Sequence, residues 1–294
     1  ILFELLFLAE YQEKAMSLQV MSDEYDPESA SNCLLSTGRL SYSQGEYKQA
    51  LDYFQQALQI QKQYFLSNHP SFSITFDLIG KTYYELKSFQ LALEFHLKCL
   101  SIEEKSLAQD HPSIGLSYFH ISRDYLALQQ YKNALNYAFK AIQQTSQFDF
   151  TNLYTFHRFI AEIYFEQEQF QQALEYFEKS LEFVDDQDKS SMTVVYYRIG
   201  SIHQQLSNYS QALIFFKKTL DLELETLDHD AQTIATTYSR LATVYFHLNQ
   251  LTDALEMGEK ALNQLLKTLS FHDPEVNDAR QVLDQLKILQ LLRE

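Results

Sequence analysis

A pair of small residues recurs six times along this 294-residue chain. An alanine returns at intervals of 42, 42, 39, 39 and 42 residues, and a second small residue precedes it by twelve positions each time. Self-similarity at such a period predicts a repeat array, in which small residues mark close helix crossings. The six pairs are Gly38 with Ala50, Gly80 with Ala92, Ser122 with Ala134, Ala161 with Ala173, Gly200 with Ala212, and Ala242 with Ala254.

Each repeat contains two stretches with the apolar spacing of an amphipathic helix. In the first stretch an apolar residue stands just before the small residue and an aromatic residue stands three places after it, as in Ile79 and Tyr83. A second apolar stripe follows the alanine. A short polar turn joins the two helices, and Gly45 or Asn208 is predicted to adopt a left-handed backbone there. The sequence therefore predicts an all-α fold of stacked antiparallel helix hairpins.

Composition and charge narrow the possible functions. Six glycines and four prolines are too few for a loop-rich β protein, while 46% hydrophobic residues indicate a folded chain. A net charge of -16 disfavours nucleic acid and anionic membrane surfaces as partners, and no apolar stretch is long enough for a membrane span, so no membrane insertion is expected. Cys33 and Cys99 lack metal-site spacing, which favours a reducing, cytoplasmic location.

Catalytic and metal sites are not predicted. The chain has no phosphate-binding loop and no nucleophile elbow, so no enzyme activity and no cofactor are expected. His120 and His157 lack a partner at the spacing of a zinc-binding helix. Four other histidines recur in equivalent links between repeats and are therefore interpreted as turn-stabilising residues: His69, His111, His229 and His272.

The order of small and aromatic residues resembles the tetratricopeptide repeat over residues 31–270, most fully at Gly80, Tyr83, Ala92 and Cys99. The 42-residue period with a His-Pro link is similar to the repeats of kinesin light chains. This resemblance implies a right-handed α-solenoid, or superhelix, whose first helices line a concave groove that holds a peptide or partner segment. The repeats depart from the pattern where two of them have 39 residues, and where Ser41 and His203 replace the aromatic residue.

The periodicity also predicts how the chain is divided. Residues 1–22 are interpreted as a truncated helix of a preceding repeat or an N-terminal cap, and residues 275–294 as a C-terminal capping helix. Six repeats are predicted between them, at about 31–72, 73–114, 115–153, 154–192, 193–234 and 235–274.

One basic residue lies in each predicted first helix, on the side opposite the apolar stripe. Five of the six are arginines, although the whole chain has only seven. One interpretation is that they recognise carboxylates on a bound peptide, because guanidinium groups bind carboxylates in a planar, bidentate way. The other is that they pair with neighbouring carboxylates such as Asp77, Asp124 or Glu162. The six residues are Arg39, Lys81, Arg123, Arg158, Arg198 and Arg240.

Aromatic residues accompany this basic series, either as groove anchors or as packing against the next first helix. The expected function is a scaffold or adaptor that binds a protein or peptide with acidic and apolar side chains. An alternative is the regulatory or targeting arm of a larger enzyme or receptor, and a third resembles bacterial peptide-sensing regulators. The sequence leaves the oligomeric state open. The aromatic candidates are Tyr42, Tyr84, Phe119, Phe159, Phe165, Tyr197 and Phe246.

Overall fold

The computed structural model describes residues 26–146, 149–185, 187–226 and 231–292, and all the regular secondary structure in these ranges is helical. The predicted half-repeat at residues 1–22 lies outside the described residues. The chain divides into two compact units, Ile1–Asp149 and Phe150–Glu294.

Among the described residues, unit 1 contains three helical hairpins, and unit 2 contains three hairpins followed by a single helix. Within each unit the first helix of a hairpin packs on its second helix, and the second helix packs on the next first helix. This arrangement confirms the predicted all-α solenoid class. The helices of unit 1 are α1 (Pro27–Ser43), α2 (Tyr47–Tyr64), α3 (Ser71–Glu85), α4 (Phe89–Ser106), α5 (Pro112–Ala127) and α6 (Tyr131–Gln144). Those of unit 2 are α7 (Phe150–Glu166), α8 (Phe170–Leu181), α9 (Lys189–Gln205), α10 (Tyr209–Glu225), α11 (Ala231–His247), α12 (Leu251–Leu265) and α13 (Pro274–Leu291).

The small residues of the first helices lie where a ring from the second helix crosses them. A Cβ atom added to Gly38 would stand 2.4 Å from the Phe54 ring, and one added to Gly200 would stand 3.0 Å from the Phe216 ring. The first contact is shorter than real Cβ contacts, so Gly38 is required for the observed approach of its two helices, whereas at Gly200 the ring would have to shift by a few tenths of an ångström. The predicted close helix crossings are thus confirmed at both places.

Each hairpin turn has one residue with a positive φ, five places before the recurring alanine. Gly45 has a φ of 80°, as predicted, but the prediction for Asn208 is wrong because its φ is -87°. Asn208 is the N-cap of α10, so the chain must reverse one residue earlier, at Ser207. The non-glycine residues in this conformation are Lys87, Gln129, Glu168, Ser207 and Asn249, with φ values of 59°, 58°, 57°, 56° and 63°.

Side chains in the links between hairpins cap the N-termini of the helices that follow. His111 Nδ1 accepts a hydrogen bond from the Ser113 amide at 3.2 Å, and His69 Nδ1 lies 2.8 Å from the Ser71 hydroxyl. At α13 the capping acceptor is Asp273, which receives the Glu275 amide at 3.0 Å. Two of the linker histidines therefore satisfy helix N-termini, as expected, and the predicted equivalent His229 lies outside the described residues.

Candidate partner-binding surface

The first helices of each unit present a common face, here called the first-helix surface: α1, α3 and α5 in unit 1, and α7, α9 and α11 in unit 2. In unit 1, α1 contacts α3 and α3 contacts α5 directly. In unit 2 the successive first helices are joined by polar side-chain contacts between α7 and α9 and between α9 and α11. All six basic candidates are at least partly exposed, and Arg39 and Arg240 are the most exposed of them.

In unit 1 the Asp77 carboxylate lies between two basic side chains. Lys81 Nζ donates to Asp77 Oδ2 at 2.7 Å, and His120 Nε2 lies 3.8 Å from the other oxygen, Oδ1. Burial, Lys81, His96 and Arg123 together lower the pKa of His120 well below its ordinary value, outweighing the nearby carboxylate. His120 is thus a neutral imidazole at pH 7.

Arg123 lies over an aromatic ring from the preceding first helix. Its guanidinium carbon is 4.4 Å from the centroid of the Tyr84 ring, a cation–π geometry. Tyr42 lines a small pocket together with Tyr84 and Arg123, and its hydroxyl lies 3.5 Å from Glu85 Oε1. Burial and this carboxylate raise the pKa of Tyr42 to about 12. The contact between Arg123 and Tyr84 holds the guanidinium against the ring, and no carboxylate among the described residues lies within ion-pair distance of it.

An open pocket of about 580 Å³ lies on unit 1 beside these groups. It is lined by residues of α1, α3 and α5, including the Arg39, Lys81 and His120 side chains, with Ile74 and Leu116 supplying exposed apolar surface. A peptide side chain in this pocket would meet both charged and apolar groups.

In unit 2 the carboxylate between basic groups is Glu162. Its Oε1 atom lies 3.1 Å from Arg198 Nε and 3.9 Å from Arg158 Nη1. Burial raises the pKa of Glu162 despite the two guanidinium groups, which act in the opposite direction. Arg198 also lies over the Phe165 ring at 5.6 Å, which repeats the arrangement of Arg123 on Tyr84.

Arg240 is held differently from the other basic residues of unit 2. Its Nε atom lies 3.3 Å from the Tyr197 hydroxyl. It lines a pocket of about 390 Å³ between α11, α12 and α13, to which Glu275, Asp278 and Val282 also contribute. The wall of this pocket combines small apolar residues with charges of both signs.

The alternative in which the basic residues pair with carboxylates holds for only part of the series. Asp77 and Glu162 do pair, but Asp124 does not take an arginine, because it accepts a hydrogen bond from His96 instead. Within the described ranges, no carboxylate lies within ion-pair distance of Arg39, Arg123 or Arg240. The six basic residues therefore divide into three with and three without an internal carboxylate.

The aromatic candidates are held mainly by their own hairpins. Tyr42 packs edge-to-face on Tyr47, Phe165 packs in the same way on Phe170, and so do Tyr84 on Phe89 and Tyr197 on Phe216. Each ring partner belongs to the second helix of the same hairpin, but the same four side chains also contact the next first helix, as the sequence suggested, through Glu85, Arg123, Arg198 and Arg240. Phe119 and Phe159 are also half-buried, and Phe246 is 38% exposed.

A buried polar pair that the sequence pattern did not predict lies under the first-helix surface of unit 1. His96 Nδ1 and Asp124 Oδ2 are 2.5 Å apart, and both side chains are almost completely buried. The His96 ring also stacks on His120, with centroids 5.4 Å apart. Aligning the repeats would have revealed it, because no other repeat has an ionisable residue at either position. The His96 position holds Phe54, Ala138, Phe177, Phe216 and Gly258 elsewhere, and the Asp124 position holds Leu40, Thr82, Ile163, Ile202 and Val244.

Two features absent from the described residues bear on other functions. No group of three or more histidine, cysteine, aspartate or glutamate side chains there could hold a metal ion. None of the helices described is long and apolar enough to cross a membrane. Cys99 is buried and lies 3.5 Å from the Ser117 hydroxyl, which agrees with its interpretation as a small core side chain.

Family models of the tetratricopeptide repeat match three parts of the chain, residues 32–71, 159–183 and 191–267. These matches are to the repeat in general, so the similarity to kinesin light chains stays a prediction. No protein of curated function matches the chain.

Solved structures show the same fold at low sequence identity. The C-terminal part of a TPR repeat-containing protein from Cytophaga hutchinsonii is 17% identical, with a TM-score of 0.64 over 87% of this chain and 88% of that one. The apo quorum sensor NprR from B. thuringiensis is 16% identical, with a TM-score of 0.61 over 97% and 86%. A chain of the APC/C hetero-tetramer Cut9-Hcn1 is 14% identical, with a TM-score of 0.58 over 95% of this chain and 46% of that one.

Proposed function

Because the chain is a tetratricopeptide-repeat protein, a fold that typically serves as a protein-interaction scaffold, we propose that its first-helix surfaces bind a partner segment carrying acidic and apolar side chains. The contacts in each unit support a binding role for the six basic residues and the aromatic residues beside them. The proposal assigns them no catalytic role.

The observation that carries this proposal is the arginine stacked on a ring. Arg123 is oriented by Tyr84 and has no carboxylate within ion-pair distance among the described residues, in a chain whose net charge is -16. A cation that is oriented and partly desolvated gains more from a new bidentate carboxylate than a fully solvated one does. Arginine and tyrosine are also over-represented among the residues that dominate binding energy at interfaces.

Exposed apolar side chains beside the charged groups indicate that the partner also carries apolar side chains. Ile74 and Leu116 are exposed beside the charged groups of unit 1, and Phe246 and Val282 are exposed in unit 2. Burying such side chains contributes about 25 cal/mol per Å² of apolar area, while an exposed ion pair contributes less than about 1 kcal/mol. We therefore expect apolar side chains to supply most of the affinity and carboxylates to set register and specificity.

The kind of partner and the cellular location are part of the same proposal. Two of the similar structures are described as a quorum sensor and as a hetero-tetramer, which is consistent with peptide or protein partners for this chain. We place the protein in the cytoplasm, since the spacing of Cys33 and Cys99 does not indicate a disulfide framework. A role as the arm of a larger enzyme or receptor remains the second candidate; sequencing the full transcript would test it.

Affinity capture from native extract tests the proposal. Replacing Arg123 and Arg158 with Ala should weaken capture, and the same partners should elute from the wild type as salt rises, because exposed charge pairs are screened. The matched control replaces Lys217 and Lys260, which lie on second helices, and should capture normally. Unchanged capture by the arginine variant, with helical content preserved in both proteins, would remove the basic series from the account.

A further inference from the structure

The Asp77 carboxylate has two alternative basic partners, one on each oxygen. Its Oδ2 atom is hydrogen-bonded to Lys81 at 2.7 Å, and its Oδ1 atom faces His120 Nε2 at 3.8 Å, which is too long for a hydrogen bond. About a quarter to a third of the Asp77 and Lys81 side chains is exposed, against 14% for His120. In this arrangement Lys81 is already neutralised before any partner binds.

His120 is surrounded by charged and titratable groups from every neighbouring element. Burial and the nearby cations keep its pKa well below the ordinary value, so that a proton on this ring needs an additional negative charge nearby. The groups that face it or share its two pockets are Asp77, Lys81, Tyr84 and Glu85 on α3, His96 and Glu103 on α4, Arg123 and Asp124 on α5, Glu28, Arg39 and Tyr42 on α1, and the link residues His69 and His111.

We propose that Asp77 competes internally for Lys81, and that a partner carboxylate binding to Lys81 displaces Asp77 to His120, which takes up one proton from solvent. The proton binds the neutral imidazole, both ring nitrogens then carry hydrogen, and the imidazolium donates to Asp77. No other bond is made or broken. This inference rests on the proposed function, since it states how binding of an acidic partner segment to unit 1 depends on pH.

Unit 2 provides an internal control for this mechanism. Glu162 lies between Arg158 and Arg198, and an arginine stays protonated at every pH of interest. A partner carboxylate that displaces Glu162 from one arginine leaves it beside the other, with no histidine between them to take up a proton. Binding to unit 2 should therefore not need the proton that unit 1 requires.

The switch itself is tested without any partner, by nuclear magnetic resonance on the whole protein. Between pH of about 7 and about 4, the Lys81 Nζ and Asp77 Cγ signals should move with the same midpoint as His120 Cε1, and that midpoint should lie below 6.5. In His120→Gln the Lys81 signal should no longer follow this midpoint. Lys81 and Asp77 signals that ignore the titration of His120 would overturn the proposal.

Binding is tested by fluorescence anisotropy with a labelled peptide that alternates Glu and Leu. Affinity should rise about tenfold per pH unit below neutrality, the limit for one proton taken up, until His120 is protonated in the free protein. Asp77→Asn should bind more tightly at neutral pH and lose this dependence, whereas Glu162→Gln should keep it. A wild-type affinity that does not change with pH overturns the inference. If the peptide does not bind at any pH, the proposed function is contradicted. In that case the resonance experiment still tests whether Asp77 moves from Lys81 to His120.

Discussion

Unit 1 and unit 2 place similar groups on their surfaces above different cores. Each has a carboxylate between basic residues and an arginine over a ring, Arg123 on Tyr84 in unit 1 and Arg198 on Phe165 in unit 2. Beneath the surface, unit 1 buries the hydrogen-bonded pair of His96 and Asp124. The equivalent positions of unit 2 hold only apolar side chains.

The comparison shows that a repeat can exchange an apolar contact for a polar one when both partners change together. Phe177 fills the position of His96, and Ile202 on the following first helix fills the position of Asp124, with both completely buried. A lone His96 or a lone Asp124 would be an uncompensated polar group in the core. Because the polar pair adjoins His120, the chemical difference in the core extends to the first-helix surface of unit 1.

The largest expected effect comes from breaking the polar pair of unit 1. His96→Phe alone leaves the Asp124 carboxylate buried without a partner and should cost about 3–5 kcal/mol of unfolding free energy. Adding Asp124→Ile recreates the apolar contact found in unit 2, and the double variant should return to within about 1 kcal/mol of the wild type. Urea unfolding measures all three, and simple additivity of the two changes would refute the exchange.

A smaller effect is expected at a buried glutamate that the two units share. Glu223 in unit 2 has a pKa raised to about 7 by burial, since only the Thr237 hydroxyl at 3.0 Å supports its carboxylate. The unfolded chain releases this proton near the ordinary value of 4.5, so stability is lost as pH rises from there to about 7. Glu223→Gln should therefore stabilise the protein by about 1–3 kcal/mol at pH 8 and have little effect at pH 4.5.

Thermal unfolding at the two pH values measures the effect of this change. Glu103 fills the same position in unit 1, but it receives the Ser117 hydroxyl at 2.5 Å and interacts with Cys99, so Glu103→Gln should stabilise less. Gln61 fills the position in the first repeat and donates to Ser31 at 2.9 Å, which shows that an amide fits there. An equal gain at both pH values would show that charge is not the cause.

The smallest effect concerns the hairpin turns, where the two units should behave alike. Gln129→Gly in unit 1 and Ser207→Gly in unit 2 should each stabilise the protein by about 1 kcal/mol, because both residues have a positive φ. Gly45→Ala should destabilise it by a similar amount, since an added Cβ there meets no neighbour and only the backbone conformation matters. Opposite responses of Gln129 and Ser207 to glycine would contradict this equivalence.

The sequence predicted the fold well because the fold depends on local periodicity. The spacing of Gly38 from Ala50 and of Gly200 from Ala212 identified the helix crossings correctly, and the same spacing located the turns. Ser207 was missed because the position of the left-handed residue depends on where the following helix begins, which Asn208 decides as its N-cap.

The surface was less predictable because its contacts join different repeats. The positions of Arg123 and Arg198 in their helices do not show that one stacks on Tyr84 while the other also reaches Glu162. Those outcomes depend on the tilt between neighbouring first helices and on side-chain torsions, which the periodicity does not determine. The pair of His96 and Asp124 was detectable, but only by comparing equivalent positions across all repeats.

Site-specific photo-crosslinking tests most directly the claim that partners bind the first helices. A photoreactive phenylalanine analogue placed at Tyr84 or Phe165 should crosslink the captured partner in each unit. The same analogue at Leu97 or Ile214, which are 36% and 46% exposed on second helices, should crosslink little or none of it. Strong crosslinking from the second-helix positions, with none from the first-helix positions, would contradict the account.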